Sequence, residues 1–334
     1  MKNELNNRTL AAGILMASCL MSILACNTNK PAENAPSPKA ASPTPSSPGL
    51  QQQRESAEQA ARPDVEQERK KEEEQASKSL DQDAIAAINA TSKAVQDIAA
   101  NNTKDALADI ELATGKINIL LARNPSTALI PVASEVDVID TAPHDEAALK
   151  RLTAAAVTAV ESRDFPDGRV LLHGLMSEIR VSTTNLPLAS YPEALKDAAK
   201  ALDNGNPNGA SNTLLTALNT LVIVEQTTPL PVIVARSAIT EAEQKSKTDK
   251  GAAQTLLEVA RNEVNRGKAL GYNPGADEYA TLDHEISSLE KQVKAGSDTA
   301  SVFARLRTEL TDFIHRHKKQ QTLAAETNFP TGPK

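Results

Sequence analysis

Four times between residues 81 and 264, an apolar stripe at helical spacing runs into a short polar break and then resumes. The breaks carry Asn, Asp, Gly or Pro, residues that favour caps and turns over helix interiors. Ile85, Ile88, Val95 and Ile98 precede Asn101-Asn102-Thr103, and Leu107, Ile110, Ile117 and Leu121 follow. Thr103 is placed to cap the second helix, with Asp105 in its first turn. Leu149, Leu152, Val157 and Val160 precede Ser162–Gly168, and Val170, Leu171, Leu175 and Ile179 follow. Leu195, Ala198 and Leu202 precede Asp203–Gly209, and Leu214, Leu218 and Leu221 follow. Ile239 and Ala242 precede Lys247–Gly251, and Leu256, Val259 and Val264 follow. These patterns predict four antiparallel helical hairpins. The turns are unevenly spaced, which favours packed hairpins over a solenoid, its alternative.

Between the hairpins lie β-branched, proline-bounded stretches: Leu129–Ile139, Ile179–Leu188 and Leu221–Val232. They are read either as edge strands of a small sheet of two or three strands, or as helix ends with extended loops. Beyond them, Tyr279, Leu282, Ile286, Leu289 and Val293 alternate in threes and fours, as do Phe303, Leu306, Leu310 and Phe313. This is a C-terminal helical pair, packed either on the main domain or in self-association. The fold class is therefore mainly α, built of packed antiparallel hairpins with a small sheet. With no Trp, 4 Phe and 3 Tyr, the core must come from aliphatic side chains.

The N-terminus has the layout of an export signal. Lys2 and Arg8 precede an apolar run from Leu10 to Ala25, ending in Ile23-Leu24-Ala25-Cys26. That tetrad resembles a bacterial lipobox, whose cysteine is lipidated and becomes the first residue. Cys26 is preferred to Cys19, because Met16 fits poorly where a lipobox carries Leu, Ile or Val. The chain holds only these 2 cysteines, so an exported domain folds without a disulfide. From Asn27 to Gly49 the composition is rich in Pro, Ala and Ser, and Gln51–Gln75 is rich in Gln, Glu and Lys. Both are expected to be solvated and mostly unstructured. As a coil, that tether would span roughly 40 Å. The expected layout is a signal over 1–25, a tether over 26–80, a helical domain over 81–250, a helical extension over 251–320 and a frayed tail over 321–334.

The formal net charge is −7, so the chain gains nothing from counterion release, and nucleic acid is excluded as a partner. No nucleophile elbow, phosphate-binding glycine loop, His-Glu-x-x-His or calcium loop is present. Asp203–Gly209 superficially resembles a calcium loop but lacks its closing Glu. His315 and His317 stand two apart, on different helix faces, and read as a solvated basic end. His173 reads as a structural, hydrogen-bonded histidine on an apolar helix, and His144 as the residue before an acidic helix start. The expectation is no catalytic, cofactor-binding or metal-ligating residue, no cofactor, and no enzyme activity. The one residue assigned chemistry is Cys26, the lipid anchor.

Ala100–Leu107, Leu129-Ile130-Pro131-Val132, Glu178-Ile179-Arg180 with Asn185–Leu188, Ala194–Ala199, and Pro229–Val232 with Ala235 and Ala238 together resemble the YfdX family over about 81–245. The resemblance implies a helical, exported bacterial protein linked to stress, without catalysis and without defined functional residues to carry over. The lipobox, long tether and extension past 250 depart from that pattern. The expected role is a lipid-anchored envelope protein that binds proteins or peptides in a chaperone-like way, with self-association a further option. The alternatives are a small-molecule carrier with an apolar pocket, and a hydrolase in which His173 meets a Ser and an acid.

Overall fold

The three proline-bounded stretches do form one sheet, and the helical hairpins are what connect its strands. A computed structural model describes residues 48–272 and 278–328. Among them are 11 helices and a three-stranded antiparallel sheet. Strand β1 is Leu129–Asp140, β2 is Ser177–Pro187 and β3 is Val222–Pro229, in the order β1-β2-β3. Val136 pairs with Val181 and Val138 with Ile179, and the β1 register shifts at Pro131/Ala133, where proline cannot donate to the ladder. The second stretch is the central strand rather than an edge. Its Pro187 stands at the strand end, where a missing N–H costs no interior ladder bond. Leu230–Val232 is not extended but opens a helix, as proline in a first turn allows.

The hairpins fall where the polar breaks predict. Helices α2 (Gln82–Ala99) and α3 (Thr103–Arg123) precede β1. Helices α4 (Glu146–Glu161) and α5 (Phe165–His173) join β1 to β2, and α6 (Tyr191–Asp203) and α7 (Pro207–Asn219) join β2 to β3. Helices α8 (Leu230–Lys245) and α9 (Lys250–Ala269) follow, then α10 (Glu278–Ala295) and α11 (Ala300–Asn328). Asn101 reaches the α2–α3 turn at φ 61°, a left-handed conformation that Asn tolerates. Thr103 is the first helical residue, so the N-cap position falls to Asn102. The expected turn at Ser162–Gly168 is shorter: Asp164 caps α5, which already includes Phe165 and Pro166. Gly205 (φ 69°) and Asn206, whose side chain accepts from Gly209 N, close the Asp203–Gly209 turn.

Two aliphatic cores share β2. One gathers Ile110, Ile117, Leu195 and Leu214 with Ile130 and Leu186 from the sheet. The other gathers Ile233, Ile239, Leu257, Val264, Leu289 and Phe313 with Ile179. The boundary expected at 250/251 therefore falls inside the α8–α9 hairpin, whose helices bury one core together. The C-terminal pair packs into that same core through Leu282, Ile286, Phe303 and Leu310. The tail expected to fray from about 321 is helical to Asn328.

The largest departure is α1, Pro48–Ser79, where a solvated tether is expected. Ala57, Ala61, Glu68, Glu72 and Ala76 lie on its buried face, with Val65 half-buried between them, three or four residues apart. That face packs on α8, α9 and β1. Lys318 of α11 pairs with Glu68 at 3.3 Å and with Glu72, which offsets the cost of burying two carboxylates. The opposite face carries Arg69–Glu66, Arg69–Glu73 and Lys78–Glu74 pairs. The lipobox and the Pro-rich stretch to residue 47 lie outside the described residues. No described helix is long and apolar enough to cross a membrane.

Candidate functional site

A cleft of about 830 Å³ opens between α1, the start of α4, and α9. Its geometry is set by Arg266 on α9, whose side chain is buried. The guanidinium donates from Nη2 to Asp140 Oδ1 at 2.9 Å and to the Ala142 carbonyl at 2.8 Å. Nε donates to the Pro143 carbonyl at 3.3 Å, and Nη1 to Glu263 Oε2 at 3.2 Å. One cation thus clamps the β1–α4 loop and holds a carboxylate one helical turn back. Asp145 caps α4, accepting from Ala148 N at 2.7 Å, and Glu146 sits in the first turn, as the acidic helix start predicts.

The clamp delivers His144 to the cleft. Its Nδ1 stands 3.3 Å from Glu58 Oε1 of α1 and 3.8 Å from Glu263 Oε1. The three ligand-type atoms lie within 4.8 Å of one another, a set able to hold a metal ion. Arg54 Nε is 3.2 Å from Glu58 Oε1. Neither His144 Nδ1, Glu58 Oε1 nor Arg54 Nε makes a hydrogen bond, though all three atoms are buried. No expectation drawn from the sequence reached this constellation.

Behind the cleft the polar groups continue inward. Asp140 Oδ1 also accepts from Ser177 Oγ at 2.8 Å. Ser177 N donates to the Tyr272 hydroxyl at 3.0 Å, and that hydroxyl donates to Glu178 Oε2 at 2.8 Å. Arg180 Nε donates to Glu178 Oε1 at 2.8 Å. Burial pushes the Tyr272 hydroxyl well above the usual tyrosine range, and does the same to Tyr279. Tyr279 donates to the Tyr272 carbonyl.

The histidines divide by burial. His173 is exposed at the end of α5 rather than buried, and its carbonyl accepts from Thr141. His315 is solvated, as expected, and His284 is exposed. His317 is buried, not part of a solvated end: its ring stands edge-on to Tyr272 at 5.9 Å, with Nε2 3.3 Å from Thr227 Oγ1 and 2.9 Å from Gln321 Nε2. Burial holds its pKa below the ordinary histidine value.

A second feature adjoins the cleft. Helix α4 turns Ala156 and Ala159 inward and leaves Val157 and Val160 exposed. Helix α5 meets α4 at Gly168, where a methyl group would make only ordinary contact with Val160 and Ala159. Phe165 (56 % exposed), Val170 (72 %) and Leu172 then face solvent from α5. Apart from α5, α4 packs on α9. Val157 and Val160 belong to the stripe expected to be core; the small alanines beside them took the inner face.

The family model described as "YfdX protein" matches residues 87–227, from α2 through most of β3. A solved structure of YfdX from Salmonella Typhi is similar at 15% identity, covering 45% of this chain and 93% of that one, with a TM-score of 0.31. No curated protein matches the chain. The segment that carries the sheet and three of its helical hairpins thus matches the YfdX family.

Proposed function

We propose that this chain is a non-enzymatic protein of the bacterial cell envelope, tethered to a membrane by lipid on Cys26, that binds apolar segments of incompletely folded polypeptides. The observation that carries this reading is the set of large apolar side chains left exposed on the α4–α5 hairpin: Val157, Val160, Phe165, Val170 and Leu172. Large apolar side chains collected on one surface element mark an interaction site more often than chance exposure. The hairpin's exposed apolar groups are Val and Leu with a single Phe, without the Trp or Tyr anchors that dominate tight, selective interfaces. Its chemistry therefore suits weak, sequence-tolerant binding, which is what a chaperone-like, stress-linked role requires. The stretch between Cys26 and α1 would set how far from the bilayer the domain works.

The small-molecule carrier finds less support. An apolar ligand needs a pocket lined by Ile, Leu and Val, whereas the 830 Å³ cleft is lined mainly by Arg54, His144, Glu263, Arg266 and other polar groups. The hydrolase reading required His173 beside a Ser and an acid in a cleft; His173 is exposed, away from the cleft lining.

The test is suppression of aggregation. The whole chain, carrying Cys26→Ser so that it is made without lipid, is added to a heat-denaturing client enzyme and light scattering is followed. Scattering should fall, and Phe165→Ser with Val170→Ser should lose most of the effect while leaving the circular dichroism spectrum unchanged. Equal scattering with and without the chain would overturn the binding role. Anchoring is read separately: Cys26→Ser should move the protein from the membrane fraction to the soluble one, and a variant that stays bound would remove the lipid from the account.

A further inference from the structure

We propose that Glu58, His144 and Glu263 form a binding site for a divalent transition-metal cation of the Zn²⁺ class, which fastens α1 to the body of the domain. This goes beyond the polypeptide-binding reading and does not depend on it.

The argument starts from buried atoms without hydrogen bonds. Glu58 Oε1 and His144 Nδ1 face each other at 3.3 Å without hydrogen-bond geometry, and the oxygen's other neighbour is the charged Arg54 Nε at 3.2 Å, also not hydrogen-bonded. Charge attraction offsets part of the cost of burying these atoms, but their hydrogen-bonding capacity is left unused. Glu263 Oε1 completes the triangle, 3.8 Å from His144 Nδ1, on a side chain only 3% exposed and directed into the cleft. A metal with bonds near about 2.0–2.2 Å holds neighbouring ligand atoms roughly 3–3.5 Å apart. Small closing movements of these three side chains satisfy that spacing.

The surroundings have the form that metal sites need. Arg266 holds the other oxygen of Glu263 and both carbonyls that precede His144, so two of the three ligands are oriented by one buried group. The ligands come from three separate segments, α1, the β1–α4 loop and α9, so an ion would link them. The open side of the cleft leaves coordination positions for water. Arg54 Nε, 3.2 Å from Glu58 Oε1, competes for that oxygen, and an ion must displace it. Arg54 is half-exposed on the cleft wall and has room to turn away. One imidazole with two carboxylates selects Zn²⁺, Fe²⁺ or Mn²⁺ over the all-oxygen preference of Mg²⁺ and Ca²⁺.

The experiment measures Zn²⁺ binding by isothermal titration calorimetry on the full chain. Cys19 and Cys26 are replaced by Ser, so that no thiolate takes the metal. One saturable ion per chain is expected, accompanied by a rise in melting temperature, with Mg²⁺ at the same concentration producing neither. His144→Ala and Glu58→Gln should each weaken binding by about 10–100-fold, the loss typical when a metal site is damaged. Both positions are partly exposed, so these variants keep the fold, and circular dichroism verifies it. His315→Ala, on the solvated face of α11, should bind as the parent does. Absence of saturable Zn²⁺ binding, unchanged affinity in His144→Ala, or Mg²⁺ binding as tight as Zn²⁺ would each overturn the site.

Discussion

Arg266→Met tests the claim that one buried guanidinium organises the cleft. The substitution keeps most of the side-chain length and removes all four polar contacts. Glu263, with a side chain 3% exposed, then loses the cation on its Oε2. Two carbonyls, Ala142 and Pro143, lose the donor that holds the loop. Removing one partner of a buried ion pair costs about 3–5 kcal/mol, most of it from the uncompensated charge left behind. Asp140 contributes less, because its side chain is 42% exposed and can regain water. For a chain of this size, about 2 °C of melting temperature corresponds to each kcal/mol, so a fall of roughly 6–10 °C is expected. The second arm is Arg266→Met with Glu263→Gln. Neutralising the stranded carboxylate should restore about half of the loss, giving a clear interaction energy in a double-mutant cycle. Thermal denaturation by circular dichroism reads all four proteins. If the single substitution costs less than about 1 kcal/mol, or the two losses simply add, the guanidinium does not organise the cleft and the reasoning fails.

Two further outcomes follow from the same packing. All three tyrosines, Tyr191, Tyr272 and Tyr279, are buried with hydroxyls raised above the usual range, chiefly by desolvation. From about pH 10 upward the unfolded chain ionises them while the folded chain does not, so stability is lost as pH rises, by up to about 4 kcal/mol per pH unit for three protons. With no Trp to interfere, tyrosinate absorbance should appear together with loss of helical signal; ionisation of all three before any unfolding would contradict their burial. Lys318→Met should leave Glu68 and Glu72 buried side by side without their shared cation, releasing α1. Limited proteolysis should then cut within 48–79 before the remaining helices, and a cleavage pattern equal to the parent's would count against that anchorage.

What the sequence made legible is the alternation of aliphatic stripes and polar breaks. Asp81, Asp145, Asp164, Asn206 and Asp249 cap helices through their own side chains, a local chemistry that shows in the residues themselves. The proline-bounded stretches were legible as candidate strands, with helix ends and extended loops as the alternative, because β-branched runs favour extension. Their order was not, since the central place of β2 depends on two hairpin connections returning the chain to either side of it. Helix α1 was hidden for a different reason. Its inner stripe is Ala and Glu, which in isolation reads as a solvated face. Two of those glutamates are buried where α1 packs on the domain, and Lys318, about 250 residues away, pairs with both.

The same non-locality explains why the cleft was invisible while the lipobox-like tetrad Ile23–Cys26 was conspicuous. A signal segment is read by its linear order, so four consecutive residues suffice to suggest it. Glu58 and Arg54 resemble any charged pair on a helix, as do Glu263 and Arg266, and charged pairs of that spacing are mostly solvated. His144 carries no local mark beyond the acids that follow it. Three ordinary residues become a constellation only because Arg266 pins the β1–α4 loop onto α9 and α1 lies across both. That arrangement places the mouth of the cleft on α1, the first described helix. An ion held there would therefore act on how firmly the first helix is attached, and the His144→Ala titration distinguishes that linkage from a merely charged surface: only a linked α1 gains protection from proteolysis when Zn²⁺ is added to the parent chain and none when it is added to the variant.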